Sequence, residues 1–146
     1  FPAWRPSDFC TMVDMSKLLR GLTRPLGWIF VDSPISRIGA GLATLIGLSY
    51  GLLLARGRYE QRDSLIVCRL PSWAYPRGGM TVGRVFLTGK ISSAPIYRHE
   101  AVHVDQWRRY GLLFPVLYWA AGRDPRRNRF EVEAGLTDGG YAACDL

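Results

Sequence analysis

The chain has 146 residues, of which 48% are hydrophobic and 21% charged, with 19 basic against 12 acidic side chains. This length fits one domain with its own hydrophobic core, and this composition excludes a disordered or collagen-like chain. The net charge of +7 suits nucleic acid, anionic lipid or an acidic substrate and selects none of them.

Three cysteines, Cys10, Cys68 and Cys144, are widely spaced along the chain. They form no C-x-x-C pair, so neither a disulfide framework nor a zinc ribbon is predicted. A reducing compartment is the simplest interpretation, and a cytoplasmic location is expected from it.

The first 35 residues contain four prolines, at positions 2, 6, 25 and 34. Proline interrupts helices and central strands, so residues 1–35 are predicted to form an irregular N-terminal arm. A short amphipathic stretch at residues 12–22 predicts one helical piece within that arm. We find no pattern of catalytic or metal-binding side chains in this segment.

Residues 38–55 carry no charge and are bounded by arginines on both sides. As a helix this stretch would be about 27 Å long, just under the hydrocarbon thickness of a bilayer. Two interpretations stay open. The helix is either buried on all sides, with its glycines allowing close packing, or associated with a membrane, for which Gly47 and Gly51 offer a G-x-x-x-G pair. The alternative location is therefore membrane-associated.

Two segments rich in β-forming residues follow, residues 64–70 and residues 81–88. The second segment comes after the turn signal Gly78-Gly79. Both are predicted to be strands of one small sheet.

The rest of the chain has helical spacing of apolar residues in three stretches. They extend from Pro95 to about Gly111, over residues 112–121 and over residues 126–138. The whole chain, residues 1–146, is thus predicted to be a single α+β domain. It is mostly helical, and its small sheet packs against residues 38–55.

The first of these helices contains an H-E-x-x-H motif, with His99, Glu100 and His103 at its fixed positions. A spacing of four residues puts both imidazoles on one face, one turn apart, where a single Zn²⁺ can bind both. The same face carries apolar and aromatic residues, opposite a row of arginines. Burying ionisable side chains costs free energy unless something pairs with them, so the motif predicts a metal site.

A catalytic zinc ion takes three protein ligands and keeps one position for water. The last predicted helix offers Glu131 and Glu133, which lie about 200° apart around its axis, so only one can face the metal. Glu131 shares its side with the small residues Ala134 and Gly135, which let two helices approach, and it is predicted as the third ligand. Asp138, further along that side, is predicted to accept a hydrogen bond from a ligating histidine, with a plain helix-terminal acid as the alternative.

Two motifs, H-E-x-x-H-x-x-Q at residues 99–106 and E-x-E-A at residues 131–134, resemble those of small gluzincin-type zinc metallopeptidases. The resemblance covers residues 80–140 at most. It implies a zincin-like fold, a Zn²⁺ cofactor, and a glutamate ligand three residues before the alanine, which is Glu131. It also implies that residues 81–88 form the upper rim of a cleft and pair with an extended peptide, with a plain core strand as the alternative.

Under this interpretation Glu100 is the general base of a zinc-dependent peptidase. It follows a ligand in sequence but lies about 100° around the helix from it, so it can take a proton from a metal-activated water without occupying the metal. The residue that stabilises the transition state stays open among Tyr97, Tyr110 and Tyr141.

Two further functions are weighed against the peptidase. In a non-catalytic zinc-stabilised interaction or regulatory domain, the metal would only hold two helices together, and a fourth protein ligand such as Asp138 would favour that role. Nucleic-acid binding would use the positive charge, but no aromatic and basic surface accompanies it. The expected partner is therefore a peptide or protein substrate, with no nucleic acid.

Overall fold

The computed structural model of the protein describes residues 27–74, 78–89 and 92–141. The helical piece predicted at residues 12–22 lies outside these ranges. In chain order the described elements are α1 (Gly27–Phe30), α2 (Pro34–Leu54), β1 (Glu60–Arg62), β2 (Leu65–Arg69), β3 (Gly79–Val82), β4 (Val85–Thr88), α3 (Ala94–Tyr110), a 3₁₀ turn (Gly111–Leu113), α4 (Phe114–Ala120) and α5 (Arg129–Ala134). The predicted α+β class is confirmed.

The start of α2 is fixed by a pair of serines. The Ser33 hydroxyl oxygen accepts a hydrogen bond from the Ser36 N–H at 3.1 Å, and the Ser36 hydroxyl oxygen accepts one from the Ser33 N–H at 3.0 Å. This capping box, with Pro34 in the first helical position, starts the helix before residue 38. The predicted irregular arm is therefore wrong over residues 27–35, which contain α1 and the first residues of α2.

One face of α2 consists of small residues and packs on the sheet. A Cβ atom added at Gly47 would come within 3.1 Å of the Val82 Cβ, and one added at Gly51 within 2.8 Å of the Cys68 Sγ. These glycines let the sheet approach the helix backbone, so the predicted packing of the sheet against residues 38–55 is confirmed.

The opposite face of α2 carries large apolar side chains that are exposed, among them Ile46 and Leu53. The interpretation of this helix as buried on all sides is therefore wrong. In the described part of the chain, α2 is the one helix long and apolar enough to cross a membrane, as judged by length and composition.

The sheet is mixed and has the strand order β1-β2-β4-β3. β2 and β4 are parallel, whereas both outer strands pair antiparallel with their neighbours. The strand predicted at residues 64–70 is confirmed as β2. The strand predicted at residues 81–88 is wrong as a single strand, because the chain turns at Gly83, where φ is +62°, and so separates β3 from β4.

The three later helices follow the predicted order but differ in length. α3 covers nearly the whole predicted stretch, and α4 begins only after the 3₁₀ turn. α5 is much shorter than the predicted helix at residues 126–138, because Gly135 has a φ of +93° and takes the backbone out of helical geometry. The chain then continues in turns as far as Gly140.

An aromatic cluster holds α3, α4 and α5 together. Phe114 lies at its centre, with its ring centroid 5.2 Å from those of both Trp107 and Phe130. The His103 ring is 6.3 Å from the Phe114 ring. The core therefore extends to the H-E-x-x-H motif. Its packing keeps the side of α3 that carries the motif turned inward.

Candidate metal centre

Three buried side chains converge between α3 and α5, namely His99, His103 and Glu131. The two Nε2 atoms are 3.1 Å apart. His99 Nε2 is 3.1 Å from Glu131 Oε2, and His103 Nε2 is 3.6 Å from Glu131 Oε1. Among the described residues, no other group of three His, Cys, Asp or Glu side chains is placed to hold a metal ion. The structure thus brings together the three residues predicted as ligands, and Glu133 lies outside the group.

The partners of the other ring nitrogens determine where the imidazole protons lie. His99 Nδ1 is 3.0 Å from the carbonyl oxygen of Gly135, which can only accept, so His99 Nδ1 carries a proton. His103 Nδ1 is 2.7 Å from Gln106 Oε1. The Gln106 amide nitrogen donates to two oxygens of α5, which fixes Oε1 towards His103 as an acceptor. Each neutral imidazole therefore points an Nε2 lone pair into the centre.

Two facing lone pairs and a carboxylate repel one another unless a cation lies among them. Glu131 Oε2 is buried and has no hydrogen-bond partner within the described residues. Ligands about 2.0–2.1 Å from a tetrahedral Zn²⁺ lie about 3.3 Å from one another, close to the separations observed. Two imidazoles and one carboxylate also form a donor set that zinc prefers. The residues present therefore fit the zinc ion that the resemblance implies.

The electrostatics of His99 and Glu131 also favour a cation. Burial lowers the pKa of His99, but the neighbouring Glu131 carboxylate and the Gly135 carbonyl outweigh burial and raise that pKa above its usual value. Burial raises the pKa of Glu131, yet contacts with His103, His99 and Tyr118 hold it far below its usual range. Glu131 is therefore a carboxylate that attracts either a proton or a metal ion to the histidines.

Glu131 is held in place by Tyr118 of α4, whose hydroxyl donates a hydrogen bond to Glu131 Oε1. Burial, followed by the neighbouring Glu131 carboxylate, raises the pKa of Tyr118, which keeps the phenol a donor. This contact leaves Glu131 Oε2 available to a metal ion.

The position of α5 depends on Asn128, its N-cap. The Asn128 side-chain oxygen accepts from the Phe130 N–H at 3.0 Å, and its amide nitrogen donates to the carbonyl oxygens of Tyr118 and Gly122 at 3.0 and 2.8 Å. One buried side-chain amide therefore joins the end of α4 to the start of α5. It thereby determines the position of Glu131 on α5.

Glu100 lies beside the three candidate ligands but is not one of them. Its Oε2 accepts a 2.7 Å hydrogen bond from the Thr81 hydroxyl of β3, and the Trp107 indole N–H donates to the Thr81 carbonyl at 2.9 Å. Burial raises the pKa of Glu100, and the Thr81 hydrogen bond opposes that effect. The side chain predicted as general base is therefore fixed at the edge of the centre.

A cleft of about 510 Å³ opens onto the metal centre. It lies between β3 and the helices α3 and α4, and Glu100 forms part of its wall. Further residues that line it are Met80, Thr81, Phe114, Pro115, Tyr118 and Tyr141.

Of the three tyrosines considered for the transition state, only Tyr141 lines the cleft, and its ring centroid is 6.1 Å from that of His99. Tyr97 packs edge-on against Phe86, and Tyr110 packs in the aromatic cluster. Tyr97 and Tyr110 are thus placed away from the site.

The prediction that Asp138 accepts a hydrogen bond from a ligating histidine is wrong. Its carboxylate pairs with Arg98, at 3.1 and 3.2 Å. The cause is the early end of α5 at Gly135, which removes Asp138 from the helical face of Glu131. The Gly135 carbonyl, which also accepts from the Gly139 N–H at 3.0 Å, accepts the His99 hydrogen bond instead.

Sequence reasoning gave no role to Thr81, Gln106, Tyr118 or Asn128. Two of them had a local signal: Gln106 lies three residues after His103 on the buried face, and Asn128 is a typical N-cap residue before a helix. Thr81 and Tyr118 reach the site only through the packing of distant segments, so no local pattern marks them.

Comparisons of the chain with protein family models, with curated proteins and with solved structures find no match. The similarity to gluzincin-type peptidases therefore remains a resemblance of two short motifs.

Proposed function

We propose that the protein is a zinc-dependent hydrolase, most simply a small gluzincin-like peptidase with a zincin-like arrangement of its site. The observation that carries this proposal is the convergence of two Nε2 lone pairs and the Glu131 carboxylate beside a cleft that also holds Glu100. Among the described residues no fourth histidine, cysteine or carboxylate joins the ligand group. Three protein ligands beside a cleft favour a catalytic metal over a purely structural one, which takes four.

Bound zinc would act as a Lewis acid, polarising a carbonyl and lowering the pKa of water from about 15.7 to about 7. Glu100 takes the proton of the attacking water and passes it to the leaving amine. Thr81 holds Glu100 Oε2, which leaves Oε1 for this transfer. Tyr141 is our choice for the donor to the developing oxyanion, because it lines the cleft.

A peptide substrate is supported by the position of β3. This strand is at the edge of the sheet, with β4 on one side, and its residues line the cleft. An extended peptide can pair with the backbone of such an edge. We therefore assign the rim of the cleft to β3 within the predicted stretch of residues 81–88.

The test is the Glu100→Gln variant of the full chain, assayed on a mixed peptide library after loading with zinc. We expect zinc content equal to that of the wild type and a loss of hydrolysis of about a hundredfold or more, because a general base contributes that much. Glu60→Gln makes the same chemical change on an exposed strand outside the cleft and should leave activity unchanged.

Unchanged turnover in Glu100→Gln would rule out this mechanism. A wild-type protein that binds zinc tightly and cleaves no member of the library would favour the non-catalytic zinc-stabilised domain instead.

A further inference from the structure

The outward face of α2 is apolar along most of its length. Six large side chains lie within an arc of about 140° of this helix. We call them the α2 apolar face, and they are Ile38, Leu42, Leu45, Ile46, Tyr50 and Leu53. The exposed fractions of Ile46 and Leu53 are 65% and 79%. An amphipathic helix of a water-soluble domain has the reverse arrangement, with large apolar residues inward, so this face marks an interaction surface.

Neighbouring elements extend the apolar surface. The 3₁₀ turn packs on α2 at Gly39, where an added Cβ would lie 2.9 Å from the Leu112 backbone nitrogen. Leu112 and Leu113 of that turn are themselves exposed. The apolar surface thus continues from α2 onto the turn between α3 and α4.

Exposed arginines flank both ends of α2, and exposed aromatic residues follow its C-terminal end. Arg37 is exposed near the start of α2, and Arg56 and Arg58 are exposed just after its end. Within the described residues, neither Arg56 nor Arg58 forms an ion pair with a carboxylate. Trp73 and Tyr59, both largely exposed, lie in the segments that follow. Arginine with tryptophan and tyrosine around an apolar surface matches the headgroup region of an anionic membrane.

We propose that the α2 apolar face binds an anionic lipid bilayer, with α2 lying in the plane of the membrane. A spanning orientation is incompatible with this fold, because the other face of α2 packs on the sheet at Gly47 and Gly51. Spanning would carry the sheet, including the open edge of β3, into hydrocarbon, where backbone groups that lack partners are strongly destabilising. In the plane, the large side chains enter the lipid and the sheet stays in water.

A second copy of the chain is a poorer occupant of this face. Both ends of α2 carry arginine, so two copies would bring like charges together whether their helices paired in parallel or antiparallel. Anionic headgroups neutralise those arginines instead. The proposal does not depend on the metal centre, and chelation of zinc should leave lipid binding unchanged.

The first experiment measures co-sedimentation of the full chain with vesicles of phosphatidylcholine alone or with about a quarter phosphatidylglycerol. We expect binding to the anionic vesicles. Leu45→Ser combined with Ile46→Ser should weaken binding about tenfold or more, because exposed apolar groups no longer enter the lipid. Val132→Ser, an exposed change on α5, should have no effect.

Charge is tested in the same assay. Arg56→Gln with Arg58→Gln should reduce the preference for anionic vesicles about thirtyfold, since each cation near the surface contributes about 1 kcal/mol, or about fivefold. Arg123→Gln with Arg127→Gln makes the same charge change on exposed residues between α4 and α5 and should have a smaller effect.

The second experiment measures the depth of nitroxides attached at Ile38→Cys, Leu45→Cys and Leu53→Cys, with Cys10 and Cys144 replaced by serine. Equal depths support the in-plane orientation, whereas a gradient across the bilayer would overturn it.

The proposal also fails if the wild type binds neither vesicle. It fails equally if the wild type forms a dimer that Leu45→Ser with Ile46→Ser dissociates while lipid has no effect. Protection of α2 by residues 1–26, seen as nitroxides shielded from water and from lipid, would overturn it too.

Discussion

At the scale of single residues, the positions of the imidazole protons define the candidate metal centre. Gly135 and Gln106 each present an oxygen acceptor to one histidine, so both imidazoles carry their proton on Nδ1. This frees both Nε2 atoms for a shared cation. The spacing of four residues in the motif predicts that the imidazoles are neighbours, but only the structure shows which nitrogens face each other.

The His99 ring occupies the space that a side chain at position 139 would need. A Cβ at position 139 would lie 2.6 Å from His99 Cε1 and 2.8 Å from His99 Nδ1. We expect Gly139→Ala to displace the ring and to weaken zinc binding about tenfold or more, measured by competition with a chromogenic chelator. Gly41→Ala is the matched control, because a Cβ there meets nothing within 4 Å. Equal zinc affinity in the two variants would contradict this role of Gly139.

Thr81 is expected to position Glu100 without affecting the metal. Thr81→Val keeps the β-branched shape and removes the hydroxyl that donates to Glu100. We expect kcat to fall about tenfold, the effect of one hydrogen bond to a charged group, with zinc content unchanged. Thr81→Ser keeps the hydroxyl and should restore most of the activity. If the serine and valine variants are equally impaired, the hydroxyl is not what matters.

At the scale of elements, the short helix α5 positions Glu131. It begins at the Asn128 cap and ends at Gly135 after less than two turns. A helix this short is not stable alone, so its position comes from the cap, from Gln106 and from the aromatic cluster. The sequence pattern predicts a longer helix because the pattern continues through Gly135, and the same error places Asp138 on the wrong face.

We expect Asn128→Ala to loosen the start of α5. Loss of the cap and of two donors to carbonyls should lower the free energy of unfolding by about 1–2 kcal/mol, measured in urea, and should also weaken zinc binding. Asn128→Ser keeps a capping oxygen and should lose less stability than the alanine variant. The account of α5 is wrong if Asn128→Ala leaves both zinc affinity and stability at wild-type values.

At the scale of the whole molecule, the sequence predicts the class of the fold and the three residues that converge better than it predicts the side chains that hold them in place. The periodicity of apolar residues predicts α2, β2 and α3. Helical spacing also places Glu131 and Glu133 on different sides of α5. The sequence does not predict the turn at Gly83, because Val82 and Val85 on either side of it fit the pattern of one continuous strand. The exposure of one face of α2 depends on which elements pack against the helix. The composition of α2 does not determine that packing.

The central claim is that His99, His103 and Glu131 share one zinc ion that keeps a position for solvent. X-ray absorption at the zinc edge, with elemental analysis of the full chain, tests it most directly. We predict about one zinc ion per chain, bound by two imidazoles, one carboxylate and one oxygen that is not from the protein. Glu131→Ala should lose the metal, and Glu133→Ala should retain it. The claim would be contradicted by a fourth protein ligand, by the reverse ranking of the two variants, or by a wild type that takes up no zinc.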